Sequence, residues 1–546
     1  MTDRTTFSER VGLDQLPARA GRREWIGLAV IALPCLLYSM DLTVLNLAVP
    51  SLAADLQPTS SQLLWIVDIY GFFVAGSLVT MGTLGDRIGR RRLLLIGAAA
   101  FGLLSVVAAF SPNAEALIVV RALLGVAGAT LAPSTLSLIR NMFHDPHQRT
   151  FAIGIWIASF SAGAALGPVL GGVLLDRFWW GSVFLLAVPV MALLLVLGPT
   201  LLPEFRDPDA GRLDLVSAVL SLVAVLCVIY GIKELAQQGW SITPVVAMTV
   251  GVALGLLFVR RQQTLAHPFI DLRLFRSPAF RAALGVNTFS FVGLTGAFLF
   301  TAQYLQLVAG LSPLQAGLRG LPSAAAFVIG SLLAPHVVRR FRPVTVVSVS
   351  LAVAAVGFAM LTRAEGGELS ALVAGSVLFA LALTPVITLS TDMIVSIAPP
   401  ERAGAAAAVS ETSVELGGAL GIAILGSIGT GVYRARITDA LPASLPTDAA
   451  RHAGDTLAGA LTAAADLPGR AGADLVAAAR DAFVHGMHVA VAVGAGLTLT
   501  IAAIAAVFLR GVHIGEETAD DATTLAPTGR LQAGGPCPAP ACAGCG

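Results

Sequence analysis

The chain has 546 residues, 56% of them hydrophobic and only 12% charged, and its 34 Lys and Arg against 33 Asp and Glu leave a net charge of +1. A mean hydropathy of +0.82 excludes an ordinary soluble domain, and the near-neutral balance gives no reason to expect nucleic acid as a partner. Cys35 and Cys227 lie in apolar runs and Cys537, Cys542 and Cys545 near the end, which excludes a secreted disulfide framework.

Apolar stretches near the roughly 20 residues that cross a ~30 Å hydrocarbon core recur along the chain. They predict spans at Trp25–Leu47, Leu63–Leu84, Leu93–Phe110, Leu117–Ile139, Phe151–Leu174, Val183–Leu202, Leu213–Leu235 and Val245–Val259. Six more follow at Ala282–Leu307, Leu318–Val338, Val344–Leu361, Leu369–Val395, Ala403–Gly431 and Ala482–Leu509. The fold class is therefore an all-α polytopic membrane protein with fourteen transmembrane helices. The first run is too long for a cleavable signal and lacks an early small-residue cleavage site, so it is expected to remain as an anchor.

An even number of spans puts both termini on one side. Arginine decides which: Arg19, Arg22 and Arg23, then Arg87, Arg90, Arg91 and Arg92, Arg140 and Arg149, Arg260, Arg261, Arg273 and Arg276, and Arg339, Arg340 and Arg342 fall in alternate connections. The positive-inside rule makes that side cytoplasmic. The exception, Tyr433 to Asp481, is a long outer segment of the kind that escapes the rule. The tail, 511–546, is polar, Pro/Gly-rich and aperiodic, and reads as disordered. Its Cys-x4-Cys-x2-Cys spacing offers three thiols and no fourth ligand, so no metal is expected.

An ionised side chain within a span costs a few kcal/mol or more, so each is a functional candidate. Asp41 in YSMDLTVLNLAVP lies ~24 Å of helix from the cytoplasmic start of span one. Asp68 lies near the outer end of span two, and Arg121 enters span four to a similar depth; the three are expected to share a cluster, as an active group or as an ion-paired strut. Glu411 and Glu415, four apart on span thirteen, share a face. Facing carboxylates repel, which suits one of them to carry a proton, or both to serve as protonated helix contacts. Asp392 lies close to the cytoplasmic end of span twelve. His485 and His488 lie at the outer mouth of span fourteen, where interface packing is the default.

Four segments resemble the major facilitator superfamily, and within it the fourteen-span drug:proton antiporters of the quaternary-ammonium exporter type. TLGDRIGRRRLLL (83–95) is similar to the superfamily's signature loop between spans two and three, and VRALLGVAGA (120–129) to its span-four arginine motif. SAGAALGPVLGG (161–172) is similar to the antiporter motif of span five, and MDLTVLNLAVP (40–50) to the span-one motif of the fourteen-span branch. PHVVRRFRP (335–343) is a degenerate second copy of the signature loop, without its glycine and aspartate.

The resemblance implies two six-helix bundles, 25–202 and 282–510, that rock about a central cavity, with spans seven and eight (203–281) as an extra hairpin between them and residues 1–24 cytoplasmic. It implies proton-driven efflux of small hydrophobic or cationic substrates from the bacterial cytoplasmic membrane by a monomer. There is no cofactor beyond the proton gradient, and no enzymatic activity: no phosphate loop, metal cluster or triad spacing is present. Asp41, Asp68, Arg121, Glu411 and Glu415 would carry proton and cation. Gly85, Asp86, Gly89 and Arg90 would latch one conformation. Gly163, Gly167, Gly171 and Gly172, at small-xxx-small spacing with Pro168, would form a tightly packed hinge. Trp65, Tyr70, Phe298 and Tyr304 would line the cavity for cation–π contact. A narrow exporter of an endogenous metabolite, antibiotic or lipid fits the same motifs, as does a non-transporting sensor on the same fold.

Overall fold

The computed structural model describes residues 19–58, 60–206, 214–238, 241–265, 268–364, 369–399, 402–438, 441, 450, 453–454, 456–465, 467 and 470–508. The Cys-bearing tail and the N-terminal 18 residues lie outside the described residues. Among the described residues the secondary structure is helical throughout. Fourteen helical segments are long and apolar enough to cross a membrane.

They are span one Arg22–Leu45, two Trp65–Ile88, three Arg90–Ala109, four Ala114–Met142, five Pro146–Leu175, six Ser182–Leu201, seven Leu215–Ile232 and eight Ile242–Thr264. The second series is nine Pro278–Val308, ten Gln315–Val338, eleven Pro343–Arg363, twelve Leu369–Ile397, thirteen Ala403–Ile437 and fourteen Arg470–Phe508. Most ends fall within a turn or two of the sequence expectation, because apolar length fixes the middle of each span and capping fixes its start. Asp145, Ser277 and Ser312 each accept a backbone N–H at a helix start that also carries a proline in its first turn.

Span fourteen begins at Arg470 rather than Ala482: its polar first turns stay helical because Leu475 and Ala479 are buried, and the helix Leu457–Ala465 packs beside them. Two spans are broken where proline removes a hydrogen bond and its ring meets the carbonyl four residues back. In span four the helices Ala114–Gly128 and Leu131–Met142 meet at a turn over 129–130, ahead of Pro133. In span six the break at Leu186 falls just ahead of Pro189. Span nine ends in a π-turn, Tyr304–Val308.

Spans one to six pack among themselves, one on five, two on four and three on six, and spans nine to fourteen do likewise, nine on thirteen, ten on twelve and eleven on fourteen. The two sets meet where span two packs on thirteen and span five on ten. Spans seven and eight pair with each other, and seven also packs on two and thirteen. There Ile229 and Ile232 share an apolar cluster with Phe72, Ala75 and Ala419.

Candidate functional site

Span one brings Asp41 opposite span four, and the two meet in an ion pair: Arg121 Nη1 donates to Asp41 Oδ2 at 2.7 Å. Arg121 is completely buried, while the Asp41 side chain keeps 15% of its surface exposed. A second guanidinium bond, Nε to the Ile66 carbonyl at 3.1 Å, ties the arginine to span two. The cation also lies 4.8 Å from the Tyr70 ring centroid and 5.8 Å from that of Phe184, so aromatic faces replace much of its lost hydration. Glycine makes this approach possible: a Cβ at Gly125 would stand 2.5 Å from the Tyr70 carbonyl, and one at Gly128 3.0 Å from the Tyr70 hydroxyl. A cavity of about 20 Å³ beside Asp41, walled by Met40, Val44, Phe101 and Phe184, has room for water and not for a drug-sized molecule.

The second acidic centre reaches the first through a tyrosine. Tyr38, three residues before Asp41 on span one, donates its hydroxyl to Glu415 of span thirteen at 3.1 Å. Its ring lies 6.0 Å from that of Tyr70, which underlies Arg121. Glu411 is half-buried one turn earlier on the same helix. Asp41, Arg121, Tyr70, Tyr38 and Glu415 thus form a continuous chain from one six-helix set to the other. The spacing of Tyr38 and Asp41, three apart on one helix face, was the available sequence signal for Tyr38.

Asp68 is half-buried on span two, one turn from Trp65 and Phe72. Trp65 is 40% exposed and lies parallel to Tyr230 of span seven at 6.4 Å between centroids. Phe298 is 71% exposed on span nine. Tyr304 is fully buried at the first position of the π-turn. Neither is brought to the Asp41 centre, whereas Tyr70 is part of it. His488 Nε2 meets the Ala364 carbonyl at 3.1 Å, an interface contact.

Polar contacts between the two sets of helices concentrate at the arginine-rich end. Asp86 pairs with Arg90, and its Oδ2 accepts the Ala405 N–H at 3.0 Å, so the carboxylate caps the first turn of span thirteen. Gly89 takes φ +109, a left-handed conformation that suits glycine at this helix start, and a Cβ there would press on the Glu204 carboxylate. Gly85 allows the Leu93 side chain to close over the turn. A few residues away Arg149 of span five donates to Asp392 of span twelve at 2.9 Å, and Thr150 donates to the same carboxylate at 2.6 Å. Asp392 is fully buried, so its depth is real despite its place near the helix end. The Ser331 hydroxyl donates to the Gly154 carbonyl across spans ten and five.

The glycines of span five face span one. A Cβ at Gly163 would fall on the Leu36 carbonyl and one at Gly167 on the Thr43 hydroxyl, and at Gly171 it would stand 2.8 Å from Val44 Cγ1. Gly172 faces open space. The backbone at Pro168 continues the helix, and its side chain lies outside the described residues. No group of three or more metal-ligating side chains occurs among the described residues.

Twelve membrane-length helices in two packed sets with a further pair beside them, and charged side chains buried where the sets meet, are the architecture of a multi-pass membrane transporter. The chain belongs to the Major Facilitator Superfamily, whose sequence profile matches residues 31–422. It is 46% identical over 493 residues to the multidrug efflux pump LfrA of Mycolicibacterium smegmatis, covering 90% of this chain and 97% of the relative. It is 36% identical to the methyl viologen resistance protein SmvA of Salmonella typhimurium, over 88% of this chain and 97% of that one. The human organic anion transporter MFSD10 has the same fold, with a TM-score of 0.57 at 16% identity over 88% of this chain and 99% of its own.

Proposed function

We propose that the protein exports hydrophobic cationic compounds from the cytoplasm in exchange for protons, with the arginine-rich end and both termini facing inward. Membership of a transporter family and its similarity to efflux pumps support export. The observation that carries the cation and proton reading is the meeting of carboxylates from both helix sets, Asp41 and Glu415, through Tyr38, Tyr70 and Arg121. A carboxylate held in low dielectric binds a proton or an organic cation, and the two compete for it. Protons arriving from outside displace the cargo, and proton loss to the cytoplasm resets the site. Glu411, one turn before Glu415, extends the acidic lining on the span-thirteen side.

Exchange of one proton for a monovalent cation is electroneutral, so a pH difference alone drives it, at ~1.4 kcal/mol per unit. The test is ethidium efflux from loaded, de-energised vesicles started by an imposed gradient of about two units, worth roughly a hundredfold concentration ratio. Wild type should empty, and Asp41→Asn, expressed to a similar level, should not. Unchanged efflux in the variant removes Asp41 from the mechanism. No efflux from folded wild type replaces the broad-cargo reading with a narrow exporter of an endogenous metabolite, antibiotic or lipid.

A further inference from the structure

Outside the transport path, the connection between spans eight and nine encloses a polar cavity of about 510 Å³ at the arginine-rich end. Its walls include Gln263, Leu265, Leu272, Arg273, Arg276 and Arg402. The loop that forms it is built. Gln262, buried, donates to Ser217 at 2.8 Å and accepts the Phe269 N–H at 2.7 Å. Asp271 takes the Arg402 guanidinium at 2.6 Å and also accepts the Arg273 N–H at 2.9 Å. The chain then makes a single 3-10 turn, Leu274–Arg276, before Ser277 caps span nine.

The charge in this cavity is uneven. Asp271 is committed to Arg402, and the side chains of Arg273 and Arg276 have no acidic partner among the described residues. These two residues stand three apart at a 3-10 turn, where side chains eclipse, so their like charges project to one side. Both are exposed. Their position is also definite. Span eight's apolar run ends at Val259 and span nine starts at Pro278, so the cavity opens at the level where the hydrocarbon core gives way to headgroups. Leu265 and Leu272 provide apolar wall beside the two cations.

We propose that this cavity binds the phosphate of an anionic phospholipid headgroup, held by Arg273 and Arg276 with the acyl chains running beside Leu265 and Leu272 into the bilayer. Guanidinium forks match phosphate oxygens, and basic pockets between spans at the cytoplasmic surface hold such headgroups. The site also touches the closed end of the transporter. The Phe269 carbonyl accepts the Thr83 hydroxyl of span two at 3.3 Å, the Arg87 guanidinium lies 5.3 Å from the Phe269 ring, and Arg402 is the residue before span thirteen. A headgroup here favours the arrangement in which spans two and thirteen are together at this end.

The test measures lipid binding to the purified full-length protein in detergent by native mass spectrometry, titrating phosphatidylglycerol and, separately, phosphatidylcholine. It needs no substrate, so it stands or falls independently of the cargo. Wild type should bind phosphatidylglycerol in preference, and Arg273→Gln/Arg276→Gln should weaken that binding about twenty-five-fold, at roughly fivefold per arginine. Arg273→Lys/Arg276→Lys, which keeps the charge and loses the fork, should bind between wild type and the glutamine variant. Equal binding of the two lipids, or an unchanged affinity in the glutamine variant, overturns the site. Displacement of phosphatidylglycerol by millimolar inorganic phosphate as effectively as by more lipid overturns the lipid assignment, since acyl contacts would then contribute nothing.

Discussion

At the residue scale, the Asp41 centre is built around a guanidinium rather than a positive charge alone. Arg121 uses one nitrogen for Asp41 and another for the Ile66 carbonyl while its plane lies against Tyr70. A lysine is a point charge without that fork. Arg121→Lys should therefore lose the bond to span two and the aromatic contact, at a cost of about 1.5–3 kcal/mol. Thermal unfolding of the purified protein with and without the change checks it, and an unaltered midpoint refutes the geometric argument. Asp214, just ahead of span seven, makes a pH-dependent case. Its bonds to Arg261 at 2.7 and 3.1 Å, helped by Ser217, push its carboxyl down to about 2 from the ordinary 3.8. A depressed folded value contributes stability that is present above pH 4 and lost as pH falls towards 2. Asp214→Asn should lower the unfolding midpoint at pH 6 and converge on wild type by about pH 2; a constant difference across that range rules the pair out as the source. Asp41 and Arg121 were legible in the sequence because an ionised group in an apolar run is costly wherever it points. Tyr38 was legible only through its place three residues before Asp41 on one helix face, since a tyrosine there costs little by itself.

At the element scale, apolar length announced fourteen helices but none of the three interruptions: Pro133 and Pro189 follow two of them, yet Pro322, Pro335 and Pro385 lie inside unbroken helices, and nothing in YLQLV marks the π-turn of span nine. Small-residue spacing also announced that span five is closely packed, without saying against what. The structure answers with span one, and it divides the motif. Gly163 meets backbone at Leu36, which cannot rotate away, whereas Gly172 meets nothing within 4 Å. Gly163→Val should force the two spans apart and disrupt the segment that carries Tyr38 and Asp41, reducing gradient-driven efflux at least tenfold. Gly172→Ala should leave efflux within about twofold of wild type, and should add a few tenths of a kcal/mol to helix stability, since alanine restricts the unfolded chain more than glycine. Equal effects of the two changes would mean that the helix itself, rather than its contact with span one, is what the glycines serve.

At the scale of the whole molecule, two buried carboxylates from different helix sets close the same end. Asp86 caps span thirteen from the first set, and Asp392 holds Arg149 and Thr150 from the second, with Gly154 and Ser331 in contact between them. The signature-loop sequence pointed to Asp86 and to a neighbouring helix end or arginine as its partner, but not to which helix, because a backbone N–H at residue 405 has no sequence signal. A structure that alternates between two states must break both contacts together, and each contributes only to the state in which this end is shut. Removing the charge at either carboxylate should therefore shift the population towards opening here. Ser331 is fully buried in the seam, so a cysteine at that position reports the shift. In a background with Cys35, Cys227, Cys537, Cys542 and Cys545 replaced by serine, Ser331→Cys in inside-out vesicles should react slowly with a charged thiol reagent. Adding Asp86→Asn or Asp392→Asn should speed the reaction, and the pair together should speed it at least tenfold, the rate change that ~1.4 kcal/mol of weakened closure produces. If the double variant stays folded and labels no faster than the parent, these carboxylates are fixed struts within one state, and closure rests on the apolar seam between spans five and ten.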